Sequence, residues 1–264
     1  MERRSLTDGL GDKGRQIASA AEMIASAGTV SVLTGAGISA ESGVPTFRGE
    51  DGLWKGYRAE ELATPGAFRR DPEMVWRWYD WRRCLLEPLQ PNPGHFALAE
   101  LEGLAPRFNL VTQNVDGLHA SAGSSDPIEI HGNIWLLRCL ESCAGSPGSG
   151  WEDRRAPLPE LPPPCPHCGG PARPGVVWYG EQLPPEALRR AQEALHCDVM
   201  LVVGTSAIVQ PAASFALVAR SEGAKIIEVN PEETPLTSSI DIYLQGRSGE
   251  LLPELMTELR RLKD

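Results

Sequence analysis

Residues Val30–Gly43 read VSVLTGAGISAESG, and they are the most informative segment of the chain. A run of β-branched and apolar residues ends in a glycine turn, which is typical of a buried strand that leads into a phosphate-binding loop. Gly35 and Gly37 can adopt backbone angles that other residues avoid, and without side chains they let backbone N–H groups approach a pyrophosphate. With Ala40 they fit the G-x-G-x-x-G/A fingerprint. The stretch therefore predicts a dinucleotide site.

One part of that fingerprint is missing. An acidic residue is expected at the end of the next strand, about 20 residues on, where it holds the ribose. The corresponding residues 50–54 read EDGLW, and no strand pattern precedes them. The loop alone is equally compatible with a glycine turn that joins a strand to a helix and binds nothing.

Composition and charge narrow the class of protein. The chain has 264 residues, of which 41% are hydrophobic and 23% charged, as in a globular protein with a large core. No apolar run approaches the roughly 18 residues of a membrane span, and the start MERRSLTD resembles neither a signal nor a transit peptide, so we expect a cytoplasmic protein. The net charge of -10 argues against nucleic acid as a partner and suits lysine-rich protein segments. We expect no membrane partner, and the sequence leaves the oligomeric state open, a monomer included.

The remaining periodicity predicts alternating helices and strands. We predict helices over 12–27, 72–87, 93–103, 184–196, 211–222 and 250–262, strands over 108–112, 128–130, 199–203 and 225–229, and a loop over 44–49. The last helix is expected to bury Leu251, Leu252, Leu255, Leu259 and Leu262 on one face. This alternation predicts an α/β fold with a doubly wound, Rossmann-like parallel sheet, which binds ligands beyond the carboxyl ends of its strands.

Between residues 139 and 175, glycine, proline and serine dominate, and two close cysteine pairs bracket the segment. Cys139 and Cys143 are separated by three residues, and Cys165 and Cys168 by two. Four thiolates bind zinc tetrahedrally and leave no open position, so we predict a structural zinc ion that stabilises a small inserted module without a core of its own. His167 is an alternative ligand inside the second pair. We expect the other two cysteines, Cys84 and Cys197, to be core or surface thiols.

Seven motifs together resemble the sirtuin family of NAD-dependent protein lysine deacylases. They are GAGIS at 35–39, TFR at 46–48, TQNVD at 112–116, HGN at 131–133, the four cysteines, GTS at 204–206 and VNP at 229–231. They occur in the family's order over nearly the whole chain. The resemblance implies one sirtuin catalytic domain over 1–264, with a zinc-binding module inserted at about 139–175.

The resemblance also implies roles for individual residues. His131 would be the general base, for which a side chain that titrates near neutrality is suitable. Asn114 is the second catalytic residue, and with Asp116 it would hold the ribose and the carboxamide of nicotinamide. Contacts with NAD are expected at Gly35, Ala36, Gly37, Ala40, Thr46, Phe47, Arg48, Trp54, Gln113, Asn114, Val115, Asp116, Gly204, Thr205, Ser206, Asn230, Pro231, Glu232 and Ser248.

In the reaction that the resemblance implies, NAD is a co-substrate and no hydride moves. The acyl oxygen of a modified lysine attacks the ribose as nicotinamide leaves, and His131 activates a ribose hydroxyl that captures the acyl carbon. The products are free lysine, nicotinamide and O-acyl-ADP-ribose. Val177, Trp178, Tyr179, Gly180 and Glu181, otherwise an ordinary strand and turn, would pair their backbone with the acylated-lysine protein substrate.

The acyl group is indicated by Tyr79 and Arg82, which are three residues apart on one helix face. A guanidinium in an apolar pocket can bind a carboxylate through two hydrogen bonds, and a phenol can add a third. The pair resembles that of the sirtuin branch that removes succinyl and malonyl groups, and Ala63 matches a small residue of that branch. Alternatively, the two side chains form a solvated face and the protein is mainly a deacetylase, or it is a non-catalytic NAD or ADP-ribose sensor. A hydride-transferring dehydrogenase is disfavoured by the missing ribose acid.

Overall fold

The structure is a computed structural model that describes residues 11–45 and 58–263. The main sheet contains β1 (Val30–Thr34), β2 (Phe108–Thr112), β3 (Ile128–Glu129), β7 (Val199–Val203), β8 (Lys225–Asn230) and β9 (Ile242–Gln245). All of its neighbouring strands are parallel, in the order β3-β2-β1-β7-β8-β9. The predicted doubly wound sheet is confirmed, and β9 is a strand that the sequence analysis missed.

Strand composition explains which strands occupy the centre. All five residues of β1 and all five of β7 are buried, since helices cover both faces of the sheet. Val30 aligns with Phe108 of β2 on one side and with Val199 of β7 on the other. The chain leaves β1 toward β2 on one side and later returns to add β7 on the other. This reversal of strand order opens a crevice at the carboxyl end of β1.

Ten α-helices are present in the described ranges. They are α1 (Asp12–Ala25), α2 (Ala36–Ala40), α3 (Ala59–Leu62), α4 (Pro65–Arg70), α5 (Pro72–Leu86), α6 (Pro93–Leu104), α7 (Leu118–Ser121), α8 (Pro185–Glu193), α9 (Ala212–Ser221) and α10 (Ser248–Lys263). Helices α1, α6 and α10 share one core with the sheet, and α8 and α9 share the other. None of the helices in 11–45 and 58–263 has the length and apolar character that a membrane span needs.

One prediction about α10 is wrong. Leu251, Leu252, Leu255 and Leu259 are buried, but Leu262 is 42% exposed. The reason is that residues 260–263 form a last, exposed turn beyond the layer on which the helix packs. The periodicity continues into that turn, but there is no partner surface to cover it.

A second, antiparallel sheet lies between the two halves of the main sheet in sequence. It consists of β4 (Gly132–Cys139), β5 (Trp151–Glu152) and β6 (Ala172–Val176), in the order β5-β4-β6. Its apolar residues join those of α3, α4 and α5 in a third core. Strand β4 begins seven residues before Cys139, and the apolar run at 134–137 was the missed signal. The exact bounds of an inserted module stay a prediction.

Candidate active site

A cleft of about 540 Å³ opens at the carboxyl ends of β1, β2 and β7 and extends to α5 and β6. It is lined by Gly35, Ala36, Gly37, Glu60, Ala63, Trp78, Tyr79, Arg82, Gln113, Asn114, Val115, His131, Val176, Val177, Trp178, Tyr179, Gly180, Glu181, Gly204, Thr205, Ser206, Val209 and Gln210. The structure therefore brings the glycine turn, His131, the Tyr79 and Arg82 pair and residues 177–181 to one cavity. Their proximity could not be predicted from the order of the motifs along the chain.

The glycine turn after β1 packs directly on the turn after β7. The N–H of Gly37 donates to the carbonyl of Gly204 at 2.7 Å, and a Cβ built on Gly37 would lie 2.7 Å from the Cα of Gly204. Gly204 itself has φ +60°. Gly35 has φ -131°, and neither it nor Gly37 has a positive φ. The sequence argument from unusual backbone angles was therefore wrong for these two glycines, which are required by close packing of two turns.

His131 follows β3 and lines the cleft. Its Nδ1 lies 3.1 Å from the carbonyl oxygen of Gln113, which can only accept, so Nδ1 carries the proton. In the neutral ring Nε2 is then the basic atom. Burial lowers the pKa of His131, and the bond to Gln113 opposes that shift. The ring is consequently neutral at pH 7 and able to accept a proton.

Asn114 is held by the glycine turn. Its Nδ2 donates to the carbonyl of Gly35 and to Oγ of Ser39, both at 3.1 Å. Asp116 is buried beside the cleft without lining it, and its carboxylate accepts from the N–H of Leu118 at 2.9 Å. Burial raises the pKa of Asp116, whereas hydrogen bonds from Leu118 and Ser39 lower it. Ser39 thus joins the two residues to which the resemblance assigns the ribose and the carboxamide.

Two buried histidines that the sequence analysis missed lie behind this network. His95 receives the N–H of Asn92 on Nδ1, so its protonated Nε2 faces Oγ of Ser39 at 3.3 Å. The ring of His119 packs edge-on at 4.9 Å from that of His95. Burial lowers the pKa of His95 to about 4 and that of His119 to about 3. No sequence signal separated these two from ordinary helix histidines.

Tyr79 and Arg82 lie on the face of α5 that borders the cleft, at 3% and 7% exposure. They do not form a solvated face, so that alternative is wrong. Burial raises the pKa of Tyr79 and lowers that of Arg82. The indole Nε1–H of Trp178 donates to the Tyr79 hydroxyl at 3.0 Å. Ala63 lines the same cleft, and its carbonyl accepts the N–H of Tyr179 at 2.9 Å.

Residues 177–181 follow β6, which ends at Val176, so of the ordinary strand and turn the strand is wrong and the turn, at 179–180, is confirmed. The N–H of Val177 donates to the carbonyl of His131 at 2.8 Å, and that of Trp178 to the carboxylate of Glu181 at 2.9 Å. These bonds fix the segment as one wall of the cleft. The bond from Val177 places the segment beside His131, and the bond from the N–H of Tyr179 places it beside Ala63.

The residues expected near adenine surround the carboxyl end of β8, away from the cleft wall. Nδ2 of Asn230 donates to the carbonyl of Thr205 at 2.8 Å, and Pro231 and Glu232 follow as exposed residues. Ser248 starts α10, and the N–H of Gly249 beside it donates to the carboxylate of Glu41 at 3.0 Å. Ala40, at the end of α2, is exposed. The other expected NAD contacts, Thr46, Phe47, Arg48 and Trp54, lie outside the described residues.

The four predicted cysteines form one cluster, with all four Sγ atoms within 4.8 Å of one another. Sγ of Cys139 lies 3.7 Å from that of Cys168, and Sγ of Cys143 lies 3.9 Å from that of Cys165. Zinc–sulfur bonds of about 2.3 Å place the corners of a tetrahedron about 3.8 Å apart, so the cluster fits a zinc ion. His167 is not in the cluster. Cys84 is exposed and Cys197 half-buried, and neither belongs to the cluster.

Comparisons with known proteins show the family to which the chain belongs. The model of the Sir2 family matches residues 35–211. The NAD-dependent protein deacylase of Aquifex aeolicus is 54% identical over 229 residues, which cover 86% of this chain and 94% of that protein. The NAD-dependent protein deacylase 1 of Archaeoglobus fulgidus is 53% identical over 231 residues, 87% of this chain and 92% of that protein. The chain belongs to the Sir2 (sirtuin) family.

Solved structures of the family superimpose closely. A complex of a Sir2 homolog with NAD has a TM-score of 0.87 and 49% identity, and the match covers 93% of this chain and 94% of that one. A Sir2 protein bound to a myristoylated histone peptide has a TM-score of 0.76 and 34% identity, over 94% of this chain and 98% of that one. The fold is that of the family.

Proposed function

We propose that the protein is an NAD-dependent protein lysine deacylase that removes succinyl and malonyl groups, and acetyl groups more slowly. One observation carries the proposal: a single cleft contains the glycine turn, the neutral His131 and a buried tyrosine–arginine pair. The names of relatives at 54% and 53% identity support the NAD-dependent deacylase activity. The sequence-based expectations of a cytoplasmic location and of no nucleic-acid or membrane partner stay predictions.

NAD would lie across the carboxyl ends of the strands. Its pyrophosphate would meet the turn at Gly35–Gly37, with Gly204, Thr205 and Ser206 as the opposite side, and the adenosine would reach Asn230 and Ser248. The nicotinamide end would then lie near Asn114 and Asp116. The NAD complex of a Sir2 homolog with the same fold supports NAD as the ligand. The cysteine cluster would hold a structural zinc ion that keeps β4 and β6 together.

His131 would act as the general base. Its Nδ1–H is engaged by the carbonyl of Gln113, which fixes the ring and leaves Nε2 as the acceptor. The lowered pKa keeps this acceptor unprotonated at neutral pH. Nε2 can therefore take the proton of a ribose hydroxyl that attacks the acyl carbon. Asn114, held by Gly35 and Ser39, would orient the ribose for that step.

The acyl preference rests on the charge of Arg82. Its guanidinium lies on the wall of the cleft at 7% exposure, where a hydrogen bond to an anion is stronger than in water. A succinyl or malonyl group carries a carboxylate at its free end and would supply that anion, with the Tyr79 hydroxyl as a second donor. Ala63 leaves room for the longer chain. An acetyl group ends in a methyl group and would make neither interaction.

The test is mass spectrometry of one peptide that carries acetyl-, succinyl-, malonyl- or myristoyl-lysine, incubated with the protein and NAD. We expect faster loss of the two acidic groups, with O-acyl-ADP-ribose formed, and no reaction in His131→Tyr. If the acetyl group is lost faster than the two acidic groups, the protein is a deacylase, but the proposed binding of an acyl carboxylate by Tyr79 and Arg82 is refuted. Faster loss of myristoyl would indicate a long neutral acyl group, as in the histone-peptide complex of the family. If none of the acyl groups is lost in the presence of NAD, the protein is instead a non-catalytic NAD or ADP-ribose sensor.

A further inference from the structure

Tyr79 and Trp178 are joined by a hydrogen bond whose direction is fixed. The indole nitrogen of Trp178 lies 3.0 Å from the Tyr79 hydroxyl. Indole N–H is a donor only, so the phenol oxygen must accept in this contact. The phenol keeps its own proton to donate elsewhere. Because both side chains are about 3% exposed, bulk water does not compete for this hydrogen bond.

The charged neighbour of the phenol on α5 cannot take that proton. Arg82, one turn further on, has five N–H donors and no acceptor. Burial raises the pKa of Tyr79, so the hydroxyl stays protonated. With Trp178 donating to the oxygen and Arg82 unable to accept, the phenol proton is available to an oxygen atom inside the cleft. A carboxylate placed against Arg82 has such an oxygen.

Trp178 is held in place from several sides. The guanidinium of Arg173 lies 3.6 Å from the centre of its ring, and the ring of Phe68 lies 5.0 Å away. Arg173 also forms two hydrogen bonds with the carboxylate of Glu181, at 2.7 and 2.9 Å. The same carboxylate accepts the backbone N–H of Trp178 at 2.9 Å. The indole therefore cannot rotate away from Tyr79 without losing its contacts with Arg173 and Phe68.

We propose that Trp178 is a positioning residue for acyl specificity: its indole N–H occupies the Tyr79 oxygen and so turns the phenol proton toward the carboxylate of an acidic acyl group. This inference rests on the proposed preference for succinyl and malonyl groups. It assigns a role to the indole that differs from the backbone pairing expected for residues 177–181. Trp178 acts only through Tyr79 and does not itself contact the acyl carboxylate.

The experiment measures kcat and KM for succinyl- and acetyl-lysine versions of one peptide. In Trp178→Phe, which keeps an aromatic ring but removes the N–H, we expect the succinyl-to-acetyl ratio of kcat/KM to fall about tenfold, mainly through a higher KM for the succinyl peptide. Tyr79→Phe should lower the ratio by a similar factor. In the double variant the ratio should fall no further than in Tyr79→Phe, because Trp178 acts through the hydroxyl.

Trp76→Phe is the matched control. It removes an indole N–H from the same core, where Nε1 donates to the carbonyl of Ala172 at 2.8 Å, and Trp76 does not line the cleft. We expect it to lower stability while the succinyl-to-acetyl ratio stays as in the wild type. A wild type without preference for succinyl would refute the proposed acyl class. If the preference for succinyl survives in Trp178→Phe, or if the losses in the double variant are additive, the role of Trp178 is refuted while the proposed acyl class stands.

Discussion

Replacing Arg82 by methionine tests the acidic pocket. Methionine keeps a long, flexible side chain in the buried space of Arg82 and removes the charge. A hydrogen bond to a charged group contributes about 1.5–3 kcal/mol, so kcat/KM for the succinyl peptide should fall about 10- to 150-fold. Deacetylation should persist, because an acetyl group offers no carboxylate.

The assay compares initial rates on acetyl- and succinyl-lysine peptides at saturating NAD, together with thermal unfolding. Arg77→Met is the control, because Arg77 lies on the same helix but is exposed and pairs with Glu73. It should change neither rate by more than a small factor. Equal losses of both activities in Arg82→Met would show that Arg82 has no role in acyl selection. A large loss of stability would show that Arg82 is a structural residue.

Three other predictions concern stability and the metal. Burial lowers the pKa of His95 to about 4, so this ring is neutral in the folded state, whereas the unfolded chain binds a proton there below about pH 6.5. The free energy of unfolding should therefore fall as the pH drops from 6.5 to 4. In His95→Gln this dependence on pH should weaken by about 1.4 kcal/mol per pH unit, and exposed His196→Gln is the control. An unchanged dependence would contradict this. Elemental analysis should find one zinc ion per chain, and Cys143→Ala should release it and lower the melting temperature; zinc-free wild type would disprove the site. In a urea titration, Gly37→Ala should destabilise the protein by about 1–3 kcal/mol, because the new Cβ meets Gly204. The control Gly103→Ala lies in a helix with open space around it and should stabilise the protein by about 0.5–1 kcal/mol. Equal effects of the two substitutions would refute the close packing at Gly37.

Local patterns predicted most of the main sheet. β1, β2, β7 and β8 could be found because apolar, β-branched runs end in glycine or polar residues, and this signal requires no knowledge of the partner strands. β4 and β9 were missed. β9 has only four residues, Ile242–Gln245, of which only Leu244 is buried, and β4 lies beside a segment whose composition predicts loops. Strands at the edge of a sheet or in a small sheet have a weak pattern because only part of each is covered.

The sequence alone determined the family, the four cysteines and the residue types of the site, because these depend on motifs that are local or have a fixed order. The tertiary structure alone decided which of these residues share a cavity. Tyr79 and Trp178 are 99 positions apart, and Ser39 and His95 are 56 apart, yet each pair is in contact. Whether a side chain is buried, and which donors face it, depends on elements distant in sequence. For that reason the direction of the Tyr79 proton, the neutral Nε2 of His131 and the buried histidine pair could be found only in the folded chain.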